Sequence, residues 1–320
     1  MPGPTDDGVT LIFETRSGSR AYGLAREGSD EDFRGVIVGP RSWYFGFRGG
    51  PEQIEHSSDH VWTELRKHVR LSAQGNPTLL EMLFTDEADH RVVTPEGRAL
   101  LDARERFLSR RVEGTFAGYA LAQLKRIRTH RRWLLTPPSK EPLRVDFGLP
   151  DRTTIPRDQQ GAIEALEARG ELEGAALSPN FLEVLAREKR YRAAHREWEQ
   201  HRQWQRERNP KRAALEAAHG YDTKHAMHLV RLMRMAIEIL GTGRVIVKRP
   251  DREELLAIRD GAWSYEELES RCESLRAEIA EVAQRSSLPD APDEDALDAL
   301  TVSIVARVLR DRQPEDPRPS

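Results

Sequence analysis

The stretch Gly18-Ser-Arg-Ala-Tyr-Gly-Leu-Ala-Arg-Glu-Gly-Ser-Asp-Glu-Asp32 decides the fold, because it joins a Gly-Ser turn to two carboxylates on alternate residues. The preceding residues, Thr10–Arg16, predict a short β-strand. Gly18 and Ser19 end that strand in a turn that can lead into a helix, whose N-terminal N–H groups favour phosphate oxygens. Phe33–Val38 predicts a second strand. We therefore expect a unit that holds a phosphate beside acidic side chains.

The spacing of Asp30 and Asp32 predicts a metal site. Side chains alternate along a strand, so carboxylates two residues apart project from the same face. Two such carboxylates raise each other's pKa unless a cation lies between them. Mg²⁺ prefers oxygen ligands and needs only one or two protein carboxylates plus substrate phosphates. The alternative interpretation of Ser-Asp-Glu-Asp is an ordinary acidic surface turn.

Together, the Gly-Ser turn, the acidic pair and the flanking strands resemble the active-site signature of the DNA polymerase β superfamily of nucleotidyltransferases. Later segments, Gly220–Leu240, Thr242–Pro250 and Trp263–Leu268, resemble the helical half of a predicted bacterial and phage subfamily, some of whose phage members are called RNA-ligase-associated. The resemblance implies an α+β fold with a small mixed β-sheet nucleotidyltransferase domain followed by a mainly α-helical domain. It says little about the substrate, because superfamily members modify tRNA ends, antibiotics, proteins and DNA.

The order of segments predicts two domains and a tail. Residues 1–94 alternate strand-like and helix-like stretches and form the predicted catalytic domain. Residues 95–312 are almost wholly helical, with an inserted loop and long-helix region at about 136–219. The Pro-rich residues 313–320 predict a disordered tail.

The resemblance also implies a third carboxylate from a later strand. Asp59 is the leading candidate, since it precedes a strand-to-helix passage as in relatives; Glu64 is the alternative, and a surface turn is the structural interpretation of Asp59. A third carboxylate can complete a two-metal site or accept the proton of the attacking hydroxyl. The predicted catalytic and metal-binding set is Asp30, Asp32 and Asp59, with two Mg²⁺ ions expected and Mn²⁺ as an alternative.

A further group of candidate residues lies after Asp222. Asp222 is a typical N-cap residue and predicts the start of a helix. Three basic side chains then lie at i, i+4 and i+7 on one helix face. In relatives, a helical domain lends Lys or Arg to the triphosphate, whereas the structural alternative is a solvated basic face. The predicted nucleotide-binding set is Gly18, Ser19, Arg20, Lys224, His228 and Arg231.

Two further residues near the site have open interpretations. Arg34 either pairs with the acidic residues or meets a phosphate. Glu81 lies among apolar residues on a helix that Asn76-Pro77 begins, and is either a partner of the site or a simple helix carboxylate.

Composition limits the class of protein and its partners. The chain has 50 Lys and Arg against 53 Asp and Glu, a net charge of −3, which argues against a globally basic nucleic-acid binder. The single cysteine, Cys272, cannot form an internal disulfide, and no apolar stretch reaches the roughly 18 residues of a membrane helix. The polar N-terminus lacks signal-peptide features, so we expect a cytoplasmic protein without membrane contact. Basic stretches at 125–132 and 187–212 interleave with tryptophans and could track a nucleic-acid backbone.

These features predict a Mg²⁺-dependent nucleotidyltransferase that transfers a nucleoside monophosphate from a nucleoside triphosphate to a hydroxyl acceptor. RNA or tRNA is the expected acceptor, and pyrophosphate is released. One alternative is a toxin- or defence-type enzyme that nucleotidylates a protein. Another is a non-catalytic RNA-binding protein on the same fold. The sequence determines neither the nucleotide, nor the acceptor, nor the oligomeric state.

Overall fold

A computed structural model of the chain describes residues 8–153, 155, 157–170 and 178–311. The described residues form two compact units, one within residues 1–127 and 222–320 and the other within residues 128–221. The predicted inserted region at about 136–219 lies inside the second unit. The polar N-terminal residues 1–7 and the predicted tail at 313–320 lie outside the described residues. The division of the chain at residue 94 stays a prediction.

Within the described residues, five strands form one mixed sheet in the first unit. They are β1 (Thr10–Ser17), β2 (Asp32–Val38), β3 (Gln53–Ser57), β4 (His60–Glu64) and β5 (His90–Val93). Their spatial order is β3-β4-β2-β1-β5. β2 and β4 run parallel, whereas the other neighbouring pairs are antiparallel. The sheet and the largely helical chain that follows it confirm the predicted α+β fold.

Helices form most of the rest of the described chain. They are α1 (Gly18–Ala21), α2 (Arg41–Phe45), α3 (Leu65–Ala73), α4 (Pro77–Met82), α5 (Pro95–Asp102), α6 (Arg111–Leu135), α7 (Arg157–Ala168), α8 (Pro179–Glu207), α9 (Pro210–His219), α10 (Thr223–Thr242), α11 (Arg252–Arg259), α12 (Tyr265–Gln284) and α13 (Glu294–Arg310). Single 3₁₀ turns occur at Glu87–Asp89, Arg104–Phe107 and Arg144–Phe147. None of the helices in the described ranges has both the length and the apolar content of a transmembrane segment.

Local capping and glycine signals account for several helix ends. The Asn76 side chain accepts the N–H of Leu79, which caps α4 as expected. The aromatic stretch at 40–46 contains the single helical turn α2, which starts after Pro40. α10 passes through Gly241 and ends at Thr242, because Gly243, not Gly241, adopts the left-handed conformation (φ +66°) that caps it.

The core of the first unit lies between the sheet and the helices that pack on it. Phe13 of β1 and Val36 of β2 are register partners and are fully buried, as are Leu80 and Leu83 at α4. Burying each such side chain stabilises the fold by about 1.5–3 kcal/mol. A smaller apolar cluster, built on Ile37 and its neighbours Val9 and Trp62, also packs on the sheet.

The second unit, residues 128–221, has a helical core with aromatic contacts. Trp133 of α6 is 5% exposed, and its ring centre lies 5.5 Å from that of Trp204 on α8. His130 stacks on Trp133 at 5.6 Å. The Trp133 ring is therefore covered by contacts within the unit. It cannot stack on the bases of a nucleic acid that follows the basic stretch at 125–132.

Candidate active site

The turn after β1 lies directly against the first carboxylate of β2. Ser17 pairs with Asp32 at the end of the β1–β2 register. Gly18 has φ +64°, and a Cβ placed on it would overlap with Asp32 Oδ2. Glycine is therefore required at position 18 by its conformation and by this close approach. The two parts of the signature that the sequence separates are in contact in the fold.

Parallel pairing of β2 with β4 brings the third predicted carboxylate to the same end of the sheet. Phe33 pairs with His60, so the residues that precede them, Asp32 and Asp59, are neighbours across the two strands. The N–H of Phe33 donates to the carbonyl oxygen of Asp59 at 2.7 Å. This register therefore places Asp59 beside Asp32 at the same end of the sheet.

Glu64, the alternative third carboxylate, lies at the other end of β4. It is 3% exposed and accepts the backbone N–H of Arg66 at 3.0 Å, which caps the start of α3. The Tyr44 hydroxyl donates to Glu64 Oε1 at 3.0 Å. These bonds account for Glu64 structurally, so the geometry favours Asp59.

Asp32 carries the electrostatic signs of a crowded acidic site. Burial raises the pKa of its carboxyl above the ordinary value, and the negative charges of Asp59 and Asp30 raise it further. Arg34 and Lys224 lower the same pKa. The fold therefore brings Asp59, Asp30 and Lys224 of α10 within electrostatic range of Asp32.

Asp30 reaches this site from an irregular segment rather than from a strand. β2 begins at Asp32, so the predicted strand alternation does not place Asp30. Arg20 instead holds the segment: its Nη2 donates to the Ser29 carbonyl at 3.2 Å, and its Nε lies 3.4 Å from Glu31 Oε1. Arg20, which is predicted to bind the nucleotide, thus contacts the segment that carries Asp30 and Asp32.

The segment between α1 and β2 is also bonded to the C-terminal part of the first unit. The N–H of Arg249 donates to the Tyr22 carbonyl at 3.1 Å. The Arg26 guanidinium makes two hydrogen bonds to Asp260, at 2.7 and 2.5 Å. Residues on either side of α11 therefore fix the chain that leads from the Gly-Ser turn to the carboxylates.

Ser19 occupies the second position of α1 and is half-buried. Its carbonyl accepts the N–H of Leu24 at 2.7 Å. Its hydroxyl makes no hydrogen bond to any residue that the structure describes. This hydroxyl is therefore available to an oxygen acceptor from outside the chain, as its predicted role in phosphate binding requires.

Arg231, predicted to bind the nucleotide, forms a buried ion pair instead. Its Nη1 lies 2.9 Å from Glu81 Oε1, and the Tyr22 hydroxyl donates to Glu81 Oε2 at 2.6 Å. The guanidinium carbon lies 3.7 Å from the Tyr22 ring centre. Arg231 is 5% exposed and Glu81 3%. These contacts link α10 to α4 and to the turn after α1, which is a structural role.

The predicted basic face of α10 is therefore divided. Lys224 and His228, in its first two turns, are partly exposed, whereas Arg231 enters the core one turn later. Sequence spacing put all three on one side of the helix and could not show how deeply each turn is buried. Sequence reasoning singled out Glu81 but missed Tyr22, because a tyrosine after a Gly-Ser turn carries no distinctive pattern.

The donor set fits a hard cation that is completed by substrate. The described ranges contain no group of three or more His, Cys, Asp or Glu side chains already arranged as a full metal site. Mg²⁺ commonly binds through one or two carboxylates and takes its other oxygens from phosphates and water. Burial raises the pKa of the Asp32 carboxyl, the neighbouring charges of Asp59 and Asp30 raise it further, and a bound cation would offset the repulsive part.

Comparison with known proteins agrees with this geometry. Residues 4–135 match a family model described as the RNA repair pathway DNA polymerase beta family. This match confirms the predicted resemblance to polymerase β-like nucleotidyltransferases for the part of the chain that carries Gly18, Asp30, Asp32 and Asp59.

One curated relative is the uncharacterized protein YcgL of Bacillus subtilis (strain 168). It is 38% identical to this chain over 84 residues, which are 25% of this chain and 32% of that protein. The match thus spans about a third of the relative's length. No solved structure matches the chain.

Proposed function

We propose that this chain is a metal-dependent nucleotidyltransferase that transfers a nucleoside monophosphate from a nucleoside triphosphate to a hydroxyl group of an RNA. The main support is the contact between the Asp32 carboxylate and Gly18, in a site where Asp30 and Asp59 act on the same carboxylate. The match to an RNA repair family supports RNA as the acceptor.

The chain's own residues have separate tasks in this proposal. Gly18 lets the Asp32 carboxylate lie on the turn, and the Ser19 hydroxyl donates to a phosphate oxygen. Lys224, whose positive charge acts on Asp32, neutralises charge that develops on the leaving pyrophosphate. Arg231 and Glu81 hold α10 in place and do not touch the nucleotide.

In the proposed reaction, the acceptor hydroxyl oxygen attacks the α-phosphorus. A new oxygen–phosphorus bond forms while the bond from the α-phosphorus to the bridging oxygen breaks, and pyrophosphate leaves with that oxygen. Asp59 accepts the proton of the hydroxyl. Bound by Asp30, Asp32 and Asp59, one or two Mg²⁺ or Mn²⁺ ions supply charge neutralisation at the phosphates.

Label transfer tests this function. The full chain is incubated with each of the four nucleoside triphosphates, labelled at the α-phosphate, in the presence of Mg²⁺ and either total RNA or total cell protein. We expect label in the RNA. Asp30→Asn, Asp32→Asn and Asp59→Asn should each reduce transfer by on the order of 10²–10³-fold, because each removes charge at the reacting phosphates.

Two controls separate catalysis from folding. Glu27→Gln removes an exposed carboxylate from the same segment, outside the acidic pair, and should retain transfer. Asp32→Asn should unfold at or above the wild-type temperature at neutral pH, because its raised pKa means that the folded state disfavours the ionised carboxylate.

Three outcomes would contradict the proposal. Near-normal transfer by both Asp30→Asn and Asp32→Asn would refute the assignment of the site. Label in the protein pool alone would favour the protein-modifying alternative. RNA binding without nucleotide consumption in any pool would favour a non-catalytic protein.

A further inference from the structure

The segment after β2 presents two phenylalanine rings to solvent. Phe45 is 75% exposed and Phe47 94%, more than any other large apolar side chain in the described ranges. The Arg41 guanidinium lies 5.5 Å from the Phe45 ring centre, and that of Arg48 lies 5.2 Å from the Phe47 ring centre. Each exposed ring is thus paired with an arginine of the same segment, Arg41–Arg48, here called the 41–48 segment.

Two inward side chains hold this segment on the sheet. Trp43 packs on the apolar cluster that contains Ile37. The Tyr44 hydroxyl donates to the buried Glu64 carboxylate at 3.0 Å. Since these contacts hold the segment on the sheet while Phe45 and Phe47 stay exposed, the two rings are accessible to a partner from outside the chain.

The surface beside the segment carries further positive charge. A cavity of about 300 Å³ next to it is lined by Trp43, Gly49, Gly50, Pro51, Glu52, Glu64, Arg66, Lys67 and Arg70. Glu52 and Glu64 pair with the three basic residues of α3 and neutralise part of their charge. Arg41 and Arg48 form no ion pair with a residue that the structure describes, so their charges remain available to an anion.

This combination matches the chemistry of unpaired nucleotides. Aromatic rings stack on exposed base faces, and arginines bind the phosphates and add cation–π contacts. A duplex hides its base faces, so it offers nothing for the two rings to stack on. The chain as a whole has a net charge of −3, so the positive charge here is a local feature.

We infer that the 41–48 segment and the basic start of α3 bind a single-stranded stretch of the RNA acceptor. The inference rests on the proposed function for the identity of the acceptor. The segment follows the C-terminal end of β2, whereas Asp32 begins that strand, so the two lie about 20 Å apart. The surface therefore holds RNA at a distance from the reacting hydroxyl, and short acceptors that reach only the carboxylates do not engage it.

Fluorescence anisotropy on the full chain without nucleotide tests this surface, using a labelled single-stranded RNA of roughly 12 nucleotides and a duplex of the same sequence. The double variant Phe45→Ala/Phe47→Ala should weaken single-strand binding by about tenfold or more, with an unchanged salt dependence. The double variant Arg41→Gln/Arg48→Gln should weaken binding and reduce the slope of log K against log salt by about 1.4, or about 0.7 per phosphate contact.

Matched variants complete the design. Val302→Ala removes an exposed apolar side chain on α13 and should bind RNA like the wild type. Asp32→Asn should also bind like the wild type while losing transfer. Loss of RNA binding confined to the segment variants, at wild-type thermal stability, is the supporting result.

The inference is overturned if both double variants bind single-stranded RNA like the wild type, or if the duplex binds better. It is also overturned if the wild type dimerises in sedimentation and the phenylalanine variant does not, because a second copy then covers the surface. Segment-dependent RNA binding without any transfer would refute the proposed enzyme alone. Transfer to long and short acceptors that is unaffected by the segment variants would refute this inference alone.

Discussion

At residue 18, the absence of a side chain determines where a carboxylate lies. Gly18 supplies the left-handed turn after β1, and Asp32 fills the space that a Cβ would occupy. The same contact keeps the carboxylate partly out of water, which contributes to its raised pKa. Gly18 thus leaves the space in which the Asp32 carboxylate of the proposed site lies.

Substitution of this glycine gives a sharp test, because the chain offers a matched control. Gly28 has φ +71°, close to the +64° of Gly18, but no described atom lies within 4 Å of the position that a Cβ on Gly28 would take. Gly28→Ala should therefore lower the free energy of unfolding only by the strain of an alanine in the left-handed conformation, about 1–2 kcal/mol, and should retain transfer. Gly18→Ala should lower the free energy of unfolding by more than this and should abolish transfer, because the new Cβ displaces the Asp32 carboxylate.

Urea unfolding and the label-transfer rate measure both variants. Equal losses of stability in the two alanine variants, together with unchanged transfer by Gly18→Ala, would show that the contact between the turn and Asp32 is unimportant.

At the scale of elements, a buried ion pair joins helices that are far apart in the chain. Arg231 of α10 meets Glu81 of α4, and Tyr22 shares the same carboxylate. Burial raises the pKa of the Tyr22 hydroxyl, so it stays a hydrogen-bond donor at neutral pH. Because the C-terminal helices also hold the segment before β2, this pair supports the position of the acidic residues.

Removing one partner should expose the importance of this link. Glu81→Ala leaves the Arg231 charge buried and unpaired, and we expect the free energy of unfolding to fall by about 3–5 kcal/mol in urea titration. Glu81→Leu combined with Arg231→Leu should recover much of that loss, because an apolar pair needs no charge compensation.

The exposed pair of Glu87 with Arg98 is the control for this prediction. Glu87→Ala should change stability little, since water replaces the lost contact. A loss in Glu81→Ala no larger than that in Glu87→Ala would contradict the structural role assigned to the buried pair.

At the scale of the whole molecule, one buried histidine makes stability depend on pH. His68 of α3 is fully buried, and neither ring nitrogen has a hydrogen-bond partner among the described residues. Burial lowers its pKa from 6.5 to about 3. Below pH 6.5 the unfolded chain binds a proton that the folded chain does not, so the free energy of unfolding falls as the pH falls toward 3.

Replacing His68 should flatten this dependence. Between pH 6 and 4, His68→Leu should gain stability relative to the wild type by about 1.4 kcal/mol per pH unit, measured by urea unfolding. Ser72→Ala, one turn along α3 and equally buried, removes no titrating group and should run parallel to the wild type. Parallel pH profiles for His68→Leu and the wild type would show that His68 does not cause the pH dependence of stability.

Neighbouring residues in the chain were enough to predict the parts of the fold that depend on local geometry. β1, the Gly-Ser turn, β2 and the Asn76 cap of α4 follow from side-chain alternation, glycine conformation and capping, each of which acts over a few residues. The motif also indicated a resemblance to polymerase β-like nucleotidyltransferases, which the match over residues 4–135 confirms for that part of the chain.

Only the tertiary structure decided which residues that are far apart in the chain lie next to each other. The short edge strand β5 forms because β1 offers it hydrogen bonds, and its own four residues carry no distinctive pattern. The parallel β2–β4 register set Asp59 beside Asp32, and packing of α10 buried Arg231 with Glu81 while leaving Lys224 near the surface. The sequence determined which chemical groups the chain carries and their local conformation, but pairing across the sheet and burial depth depend on the whole fold and decided which of those groups share a site.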